Sequence, residues 1–163
     1  MRIPIVTSEG RFMAHYSERG LLQLDFPDAK RKDDGLDADF AELPPKVKQW
    51  HLATVRALNE TLAGRAPTDL PPLDLSCGTE FQQRVWGILR QISIGKTKSY
   101  AEVAAEIKKP GAARAVGGAC GANPIPVLIP CHRVLAANHG LGGFSGGLEW
   151  KRKLLAREGI QFD

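Results

Sequence analysis

The chain has 163 residues, 43% of them apolar, 25% charged and 7% aromatic, values that allow a buried core and exclude a disordered, collagenous or coiled-coil class. No apolar run approaches the roughly 18 to 20 residues of a membrane span, and the opening MRIPIVTSEGRF lacks the apolar core of a signal peptide, so a soluble, cytoplasmic protein with no membrane partner is expected. The net charge of +4 divides unevenly: residues 1–76 hold 10 Lys and Arg against 12 Asp and Glu, a net of −2, whereas residues 77–163 hold 12 against 6, a net of +6. A basic half on a near-neutral support fits a polyanion partner, with a random drift of surface charge as the competing reading.

Along the first half, Arg11–Tyr16 and Leu21–Phe26, either side of Ser17-Glu18-Arg19-Gly20, read as a β-hairpin, with an earlier strand at Ile3–Thr7. Residues 27–45 are polar, Asp-rich and bounded by proline, as expected of a surface loop. Pro45 then opens a helix to about Ala63, with Val47, Trp50, Val55, Leu58 and Leu62 near helical spacing and Gly64 as the stop. Arg65–Ser76, with Pro67, Pro71 and Pro72, is the expected linker.

Beyond the linker the pattern turns helical. Thr79 with Gln82 is a capping box ahead of the apolar stripe Phe81, Val85, Ile88, Leu89 and Ile92. A turn at Gly95 precedes a second capping box, Ser99 with Glu102, ahead of Tyr100, Val103, Ala104 and Ile107. Pro110-Gly111 breaks that helix, and Ala112–Gly121 forms another. Two short helices joined by a Pro/Gly turn fit a helix-turn-helix, although antiparallel helical hairpins are also common structural units. The last helix is made of small residues, Ala115 and Gly118 among them, with Arg114 its single long side chain. Gly117 and Gly118 inside it weaken the helix, so close approach to another surface is the expected compensation, either a neighbouring helix or a nucleic-acid groove.

The run Asn123–Val134 places apolar residues between prolines and reads as a short buried extended segment that delivers Cys131 and His132 at its end. Side chains of successive extended residues point to opposite faces, so direct Cys131–His132 contact is not expected. The three cysteines, Cys77, Cys120 and Cys131, lack disulfide or zinc spacing and are expected to be free thiols, with no metal and no cofactor. A structural role competes with a reactive one for Cys131. Net positive charge and the neighbouring His132 and Arg133 favour a reactive thiolate. Cys120 reads as a packed small hydrophobe, and Cys77 carries no signal. His15, His51 and His139 read as structural or surface residues.

Ile129-Pro130-Cys131-His132-Arg133-Val134 resembles the active-site motif of the O6-alkylguanine-DNA alkyltransferases, or methylated-DNA-protein-cysteine methyltransferases. Gly78–Phe81 with Val85-Trp86, Gly95–Tyr100, Ala113–Gly118, Asn123-Pro124, Ser145–Leu148 with Lys151, and Glu158-Gly159 follow in family order and spacing. The resemblance covers about residues 78–159. It implies an α/β chain of two small domains: an N-terminal ribonuclease-H-like sheet domain with linker at 1–76, acting as a scaffold, and a C-terminal, mostly helical, winged helix-turn-helix domain at 77–163.

The resemblance also implies a suicide repair reaction. Cys131 would accept the alkyl group irreversibly from O6-alkylguanine in double-stranded DNA, with O4-alkylthymine as a second candidate lesion. His132, acting through a water and oriented by Glu158, would deprotonate Cys131. Asn123 would support the turn leading to the site. Because chemistry on a stacked base requires flipping, Arg114 would fill the vacated space while the Ala115 and Gly118 face lies in the minor groove. Tyr100 would press on the 3′ phosphate and donate its proton toward the purine. Carbonyls of Cys131 and Val134 would accept the exocyclic amine, Ser145 would contact O6, Phe144 would wall the pocket, and Lys151 would hold Tyr100 or the loop.

The implied partner is DNA alone, bound by a monomer that could act cooperatively. Phe144 stands where many members carry Tyr, and Ser93 where proline is common. The zinc cluster of some members cannot be built in a first half without cysteine. A non-catalytic lesion-binding protein and a Cys-His hydrolase are the alternatives, distinguished by absent transfer and by turnover respectively.

Overall fold

The computed structural model describes residues 1–137 and 140–161; His139 lies outside these. Three strands, β1 (Arg2–Thr7), β2 (Gly10–Tyr16) and β3 (Leu21–Asp25), form an antiparallel sheet in the order β1-β2-β3. Period-2 alternation sends Ile3 and Ile5 inward from β1, opposite Ala14 and Phe12 of β2. The expected first strand is therefore a full partner in the sheet.

Helix α1 (Pro45–Leu62) begins with proline at its first turn, where the missing N–H costs nothing. Its buried face differs from the expected stripe. Val47, Leu58 and Leu62 are buried as expected, but Trp50 and Val55 are only partly covered, and His51 and Thr54 take the inner positions. Those polar groups are tolerated because they are paired: Thr54 donates to the Trp50 carbonyl at 2.7 Å, Tyr16 donates to Thr54 at 2.9 Å, and the Tyr16 hydroxyl lies 3.0 Å from His51 Nδ1.

In the second half, α2 (Glu80–Leu89), α3 (Tyr100–Glu106) and α4 (Ala113–Gly121) pack on one another. Both expected capping boxes form, at Thr79/Gln82 and Ser99/Glu102. Trp86, almost wholly buried, donates its indole N–H to the Ala119 carbonyl at 2.8 Å, fixing α4 across α2. The buried apolar cluster runs without interruption from Ile3 and Phe12 through Trp86 to Val134 and Leu154. A backbone bond crosses between the halves too, from Leu24 N–H to the Pro124 carbonyl at 2.9 Å, while Leu21 N–H to the Pro72 carbonyl at 2.8 Å ties the linker to β3.

Three features depart from the sequence reading. Residues 125–130 are buried but not extended: Ile129 N–H donates back to the Ile125 carbonyl at 2.9 Å and Val127 adopts φ 74°. Prolines 124, 126 and 130 remove the donors that a strand ladder would need. A two-residue parallel pairing of β4 (Lys98–Ser99) with β5 (Val134–Leu135) was too short to leave a periodic signal. Helix α5 (Leu148–Arg157) is an element the sequence does not signal: its N-cap is Gly147 at φ 94°, with no side-chain cap bond. Among the described residues no helix is long and apolar enough to cross a membrane.

The architecture is thus mixed α/β, with small sheets and short helices meeting around the segment that carries Cys131.

Candidate active site

Cys131 opens a single 3-10 turn, Cys131–Arg133, that leads into β5. Asn123 shapes the approach to it by accepting from Ile125 N–H at 3.0 Å and donating to the Ile129 carbonyl at 2.8 Å. One side chain therefore clamps both ends of the proline-broken turn, and the Cys131 backbone follows directly. Cys131 is 3% exposed. Burial pushes its thiol up to about 11, opposed by Asn123 and by the Lys151 charge.

The positive surroundings expected to favour a thiolate are thus opposed by burial, consistent with a thiol at rest. Desolvation outweighs the nearby charges, and the Arg133 guanidinium is committed to Glu158 and the Ile92 carbonyl. Such a thiol needs a base before it can act as a nucleophile.

His132 supplies a group of that type. Its Nε2 lies 2.9 Å from Glu158 Oε1, and both side chains are sealed from solvent. Glu158 is held below the usual carboxylate range by its bonds to His132 and Arg133, against its own burial. An ionised carboxylate only accepts hydrogen bonds, so Nε2 carries the imidazole proton. Burial also pushes the His132 pKa down, keeping the ring neutral. The lone pair is thereby on Nδ1, a buried atom with no hydrogen-bond partner among the described residues, the Cys131 thiol included.

Direct Cys131–His132 bonding is absent, as expected, but for a different reason. The pair sits on a 3-10 turn and not on an extended strand.

Arg133 completes this network. Its Nε and Nη2 donate to the two oxygens of Glu158 at 2.9 and 2.8 Å, while Nη1 donates to the Ile92 carbonyl at 2.6 Å. Sequence reading gave Arg133 only a diffuse electrostatic role. The available signal was an arginine directly after the histidine that Glu158 is expected to orient, since a bidentate guanidinium can hold a carboxylate that also orients a histidine.

On the other side of Cys131 lies a cavity of about 640 Å³ lined by Tyr100, Arg114, Gly117, Cys120, Cys131, Gly143, Phe144 and Ser145, with Ala113 and Gly121. Tyr100, the first residue of α3, is half-buried and its phenol is pushed up mainly by that burial, so it is a proton donor at rest. Its hydroxyl donates to the Gly143 carbonyl at 3.5 Å. Gly142, at φ 66°, permits this approach, because a Cβ there would stand 2.7 Å from the Tyr100 hydroxyl.

Lys151 is fully buried on α5. It donates to the carbonyls of Val134 at 2.7 Å and Gly143 at 3.2 Å, and its Nζ lies 5.9 Å from the centre of the Tyr100 ring. Burial lowers its pKa. One cation thus ties β5, the 142–147 loop and the Tyr100 ring together.

The predicted site residues divide into three groups. Cys131, Tyr100, Arg114, Phe144 and Ser145 share the cavity. His132, Glu158, Asn123, Lys151 and Val134 stand behind it as a buried support. Ala115 and Gly118 are outside it, exposed on the outer face of α4. Cys120 is buried, with its thiol pushed up to about 12, yet also lines the cavity. Cys77 is exposed. No cluster of three or more His, Cys, Asp or Glu at metal-binding geometry occurs among the described residues.

Comparison with known proteins gives a consistent pattern. A sequence model of "6-O-methylguanine DNA methyltransferase, DNA binding domain" matches residues 80–160. A methylated-DNA--protein-cysteine methyltransferase of Mycobacterium tuberculosis is 51% identical over 104 residues, 64% of this chain and 62% of the relative. An inducible one of Bacillus subtilis is 45% identical over 101 residues, 62% of this chain and 56% of the relative. The matched stretch thus spans less than two thirds of these relatives' length.

The crystal structure of Mycobacterium tuberculosis OGT in complex with DNA superposes with a TM-score of 0.78 at 38% identity, covering 96% of this chain and 91% of that one. A crystal structure of Mycobacterium tuberculosis O6-methylguanine methyltransferase gives 0.72 at 37% identity with the same coverage. The chain belongs to the O6-methylguanine-DNA methyltransferase family.

Proposed function

We propose that this protein repairs O6-alkylguanine in duplex DNA by transferring the alkyl group irreversibly to its own Cys131. The observation that carries the reading is the arrangement about one buried thiol: Cys131 borders the cavity, and the neutral His132 behind it has its Nε2–H committed to Glu158 and its Nδ1 without a partner among the described residues.

The chemistry balances within that set of groups. The Cys131 proton passes to His132 Nδ1 through a bridging water, and Glu158 stabilises the imidazolium. The thiolate attacks the alkyl carbon, forming a C–S bond as the C–O6 bond breaks and its electron pair moves into the guanine ring. Tyr100 supplies the proton that guanine takes up, and Lys151 stabilises the phenolate left behind. The His132 imidazolium then releases its proton and the Tyr100 phenolate takes one up through solvent, so that, net, one proton leaves the thiol, one is gained by guanine, and the thioether remains. Val134 and Cys131 carbonyls accept the exocyclic amine, Ser145 meets O6 and Phe144 walls the base.

The small-residue helix supports the DNA side of the reading. A Cβ on Gly118 or Gly121 would meet nothing within 4 Å, so internal packing does not require glycine there. A second backbone pressed against that face would require it. With α3 as the first helix of a helix-turn-helix and α4 as the second, Arg114, Ala115 and Gly118 face the minor groove and Arg114 enters the stack left by the flipped base.

The finer architecture belongs to the same proposal. Residues 1–76 form a ribonuclease-H-like scaffold domain and residues 77–163 a winged helix-turn-helix domain, acting as a monomer. The net +6 of the second half supplies phosphate affinity.

Intact-protein mass spectrometry tests the reaction. Incubation with a duplex bearing O6-methylguanine should add one methyl group per chain, located on Cys131 and absent in Cys131→Ala. No gain in mass, a gain that survives Cys131→Ala, or continued turnover would refute it.

A further inference from the structure

Phe144, which lines the cavity beside Cys131, leans on a residue from the opposite end of the chain. Its ring packs edge-on against Phe26, just past β3, with centroids 5.7 Å apart and planes at 75°. Phe26 is itself fixed: it packs on Trp150 of α5 at 5.0 Å and on the fully buried Phe12 of β2 at 5.6 Å.

The same ring also meets the backbone of the loop. A Cβ at Gly146 would stand 2.5 Å from Phe26, so glycine at that position lets the turn close down on the ring. That turn is held by a bond from Gly147 N–H to the Phe144 carbonyl at 3.0 Å. Phe26 therefore touches the cavity wall through both its side chain and its backbone, yet it does not line the cavity.

We infer that Phe26 is a positioning residue that sets how far the Phe144 wall can retreat from Cys131, and hence the size of alkyl group the site accepts. The inference rests on the alkyl-transfer reading. Aromatic rings in edge contact resist displacement, and Phe26 is anchored to the rigid sheet, whereas the 142–147 loop contains four glycines. The pliable element is thus braced from outside the catalytic half. A large alkyl group must push Phe144 outward against this brace, while a methyl group need not. On this account the first 76 residues do more than cover the back of the site: they contribute to substrate choice.

Rates of transfer to the full-length protein from duplexes bearing O6-methylguanine or O6-benzylguanine test this. In Phe26→Ala the benzyl-to-methyl rate ratio should rise by about tenfold, the scale on which apolar pockets discriminate by size. Phe26→Tyr, which keeps the ring, should retain the wild-type ratio. If Phe26→Ala is not recovered folded, Phe26→Leu should shift the ratio in the same direction by a smaller factor.

A merely structural role would slow both substrates equally, and an unchanged ratio in the alanine or leucine variant overturns the inference while leaving alkyl transfer intact. A wild-type protein that takes up neither group overturns the reading beneath it.

Discussion

His132 and Glu158 are joined by a 2.9 Å bond between two side chains that water does not reach. Because Glu158 also receives two bonds from Arg133, it does two things at once: it selects the imidazole tautomer and neutralises a buried guanidinium. Glu158→Gln should therefore slow alkyl transfer by about 10²- to 10⁴-fold through loss of the tautomer and of imidazolium stabilisation. It should also destabilise the fold by about 3 kcal/mol, because a buried charge loses its partner. Duplex affinity should change little, since neither group lies on the α4 face. Single-turnover rates, denaturant melts and binding isotherms separate the three, and unimpaired transfer would remove Glu158 from the reaction.

The pH dependence follows from the direction of two shifts. Burial keeps His132 below its ordinary 6.5 and His51 likewise. The unfolded chain takes up those protons first, so stability should fall as pH drops below about 6.5. Glu158, whose folded pKa is lowered from 4.5, adds stability that is complete above that value and is lost as pH falls through the lower folded one. Thermal melts from pH 8 to 4 should show both phases, and His51→Gln should flatten the first. A melting temperature that is flat down to pH 4 would contradict the neutral buried histidines.

How far the site was legible in the sequence depended on the distance over which each signal acts. The capping boxes and the hairpin are local, and they form as read; of the α2 stripe Val85, Leu89 and Ile92 are buried, whereas Phe81 and Ile88 are only partly covered and Trp86 takes an inner position. Cys131, Tyr100, Arg114, Phe144 and Ser145 were selected by resemblance, and the fold brings all five to one cavity. What the sequence did not reveal was tertiary. The ionisation of Cys131 is set by burial, to which local charge gives no guide. The Arg133–Glu158 pairing joins positions 25 residues apart, and the Phe26–Phe144 contact joins positions 118 apart in the chain. The 124–130 segment was misread because apolar content marks burial without distinguishing a strand from a chain of proline-bounded turns.

Arg114 tests the flipping step separately from the chemistry. It is exposed at the start of α4 while its side chain borders the cavity. Arg114→Ala should slow repair of a duplex lesion by about 10- to 100-fold, as expected when a few kcal/mol of unstacking goes uncompensated, and leave reaction with free O6-benzylguanine within about twofold of wild type. Because the arginine also carries charge, the variant should show a salt dependence of binding shallower by about one counterion. Equal losses on base and duplex would assign Arg114 to the pocket instead.

The last turn of α5 is held from the first half of the chain. Arg157 Nη1 donates to the Leu62 carbonyl, which ends α1, at 2.9 Å, while Nη2 and Lys153 both pair with Glu9 in the β1–β2 turn. Gly64, at φ 76°, lets the chain after α1 pass against the Arg157 carbonyl, where any Cβ would collide. Gly64→Ala combines that collision with a left-handed backbone and should cost about 2 kcal/mol, or about 4–8 °C in melting temperature. Glu158 follows Arg157 directly, so the displaced turn should also loosen the His132 contact and slow transfer. Glu9→Gln removes only partly exposed pairing near the surface and should shift the melting temperature by about 2 °C or less. A Gly64→Ala protein as stable and as fast as wild type would show that the α1–α5 junction yields without disturbing the catalytic turn.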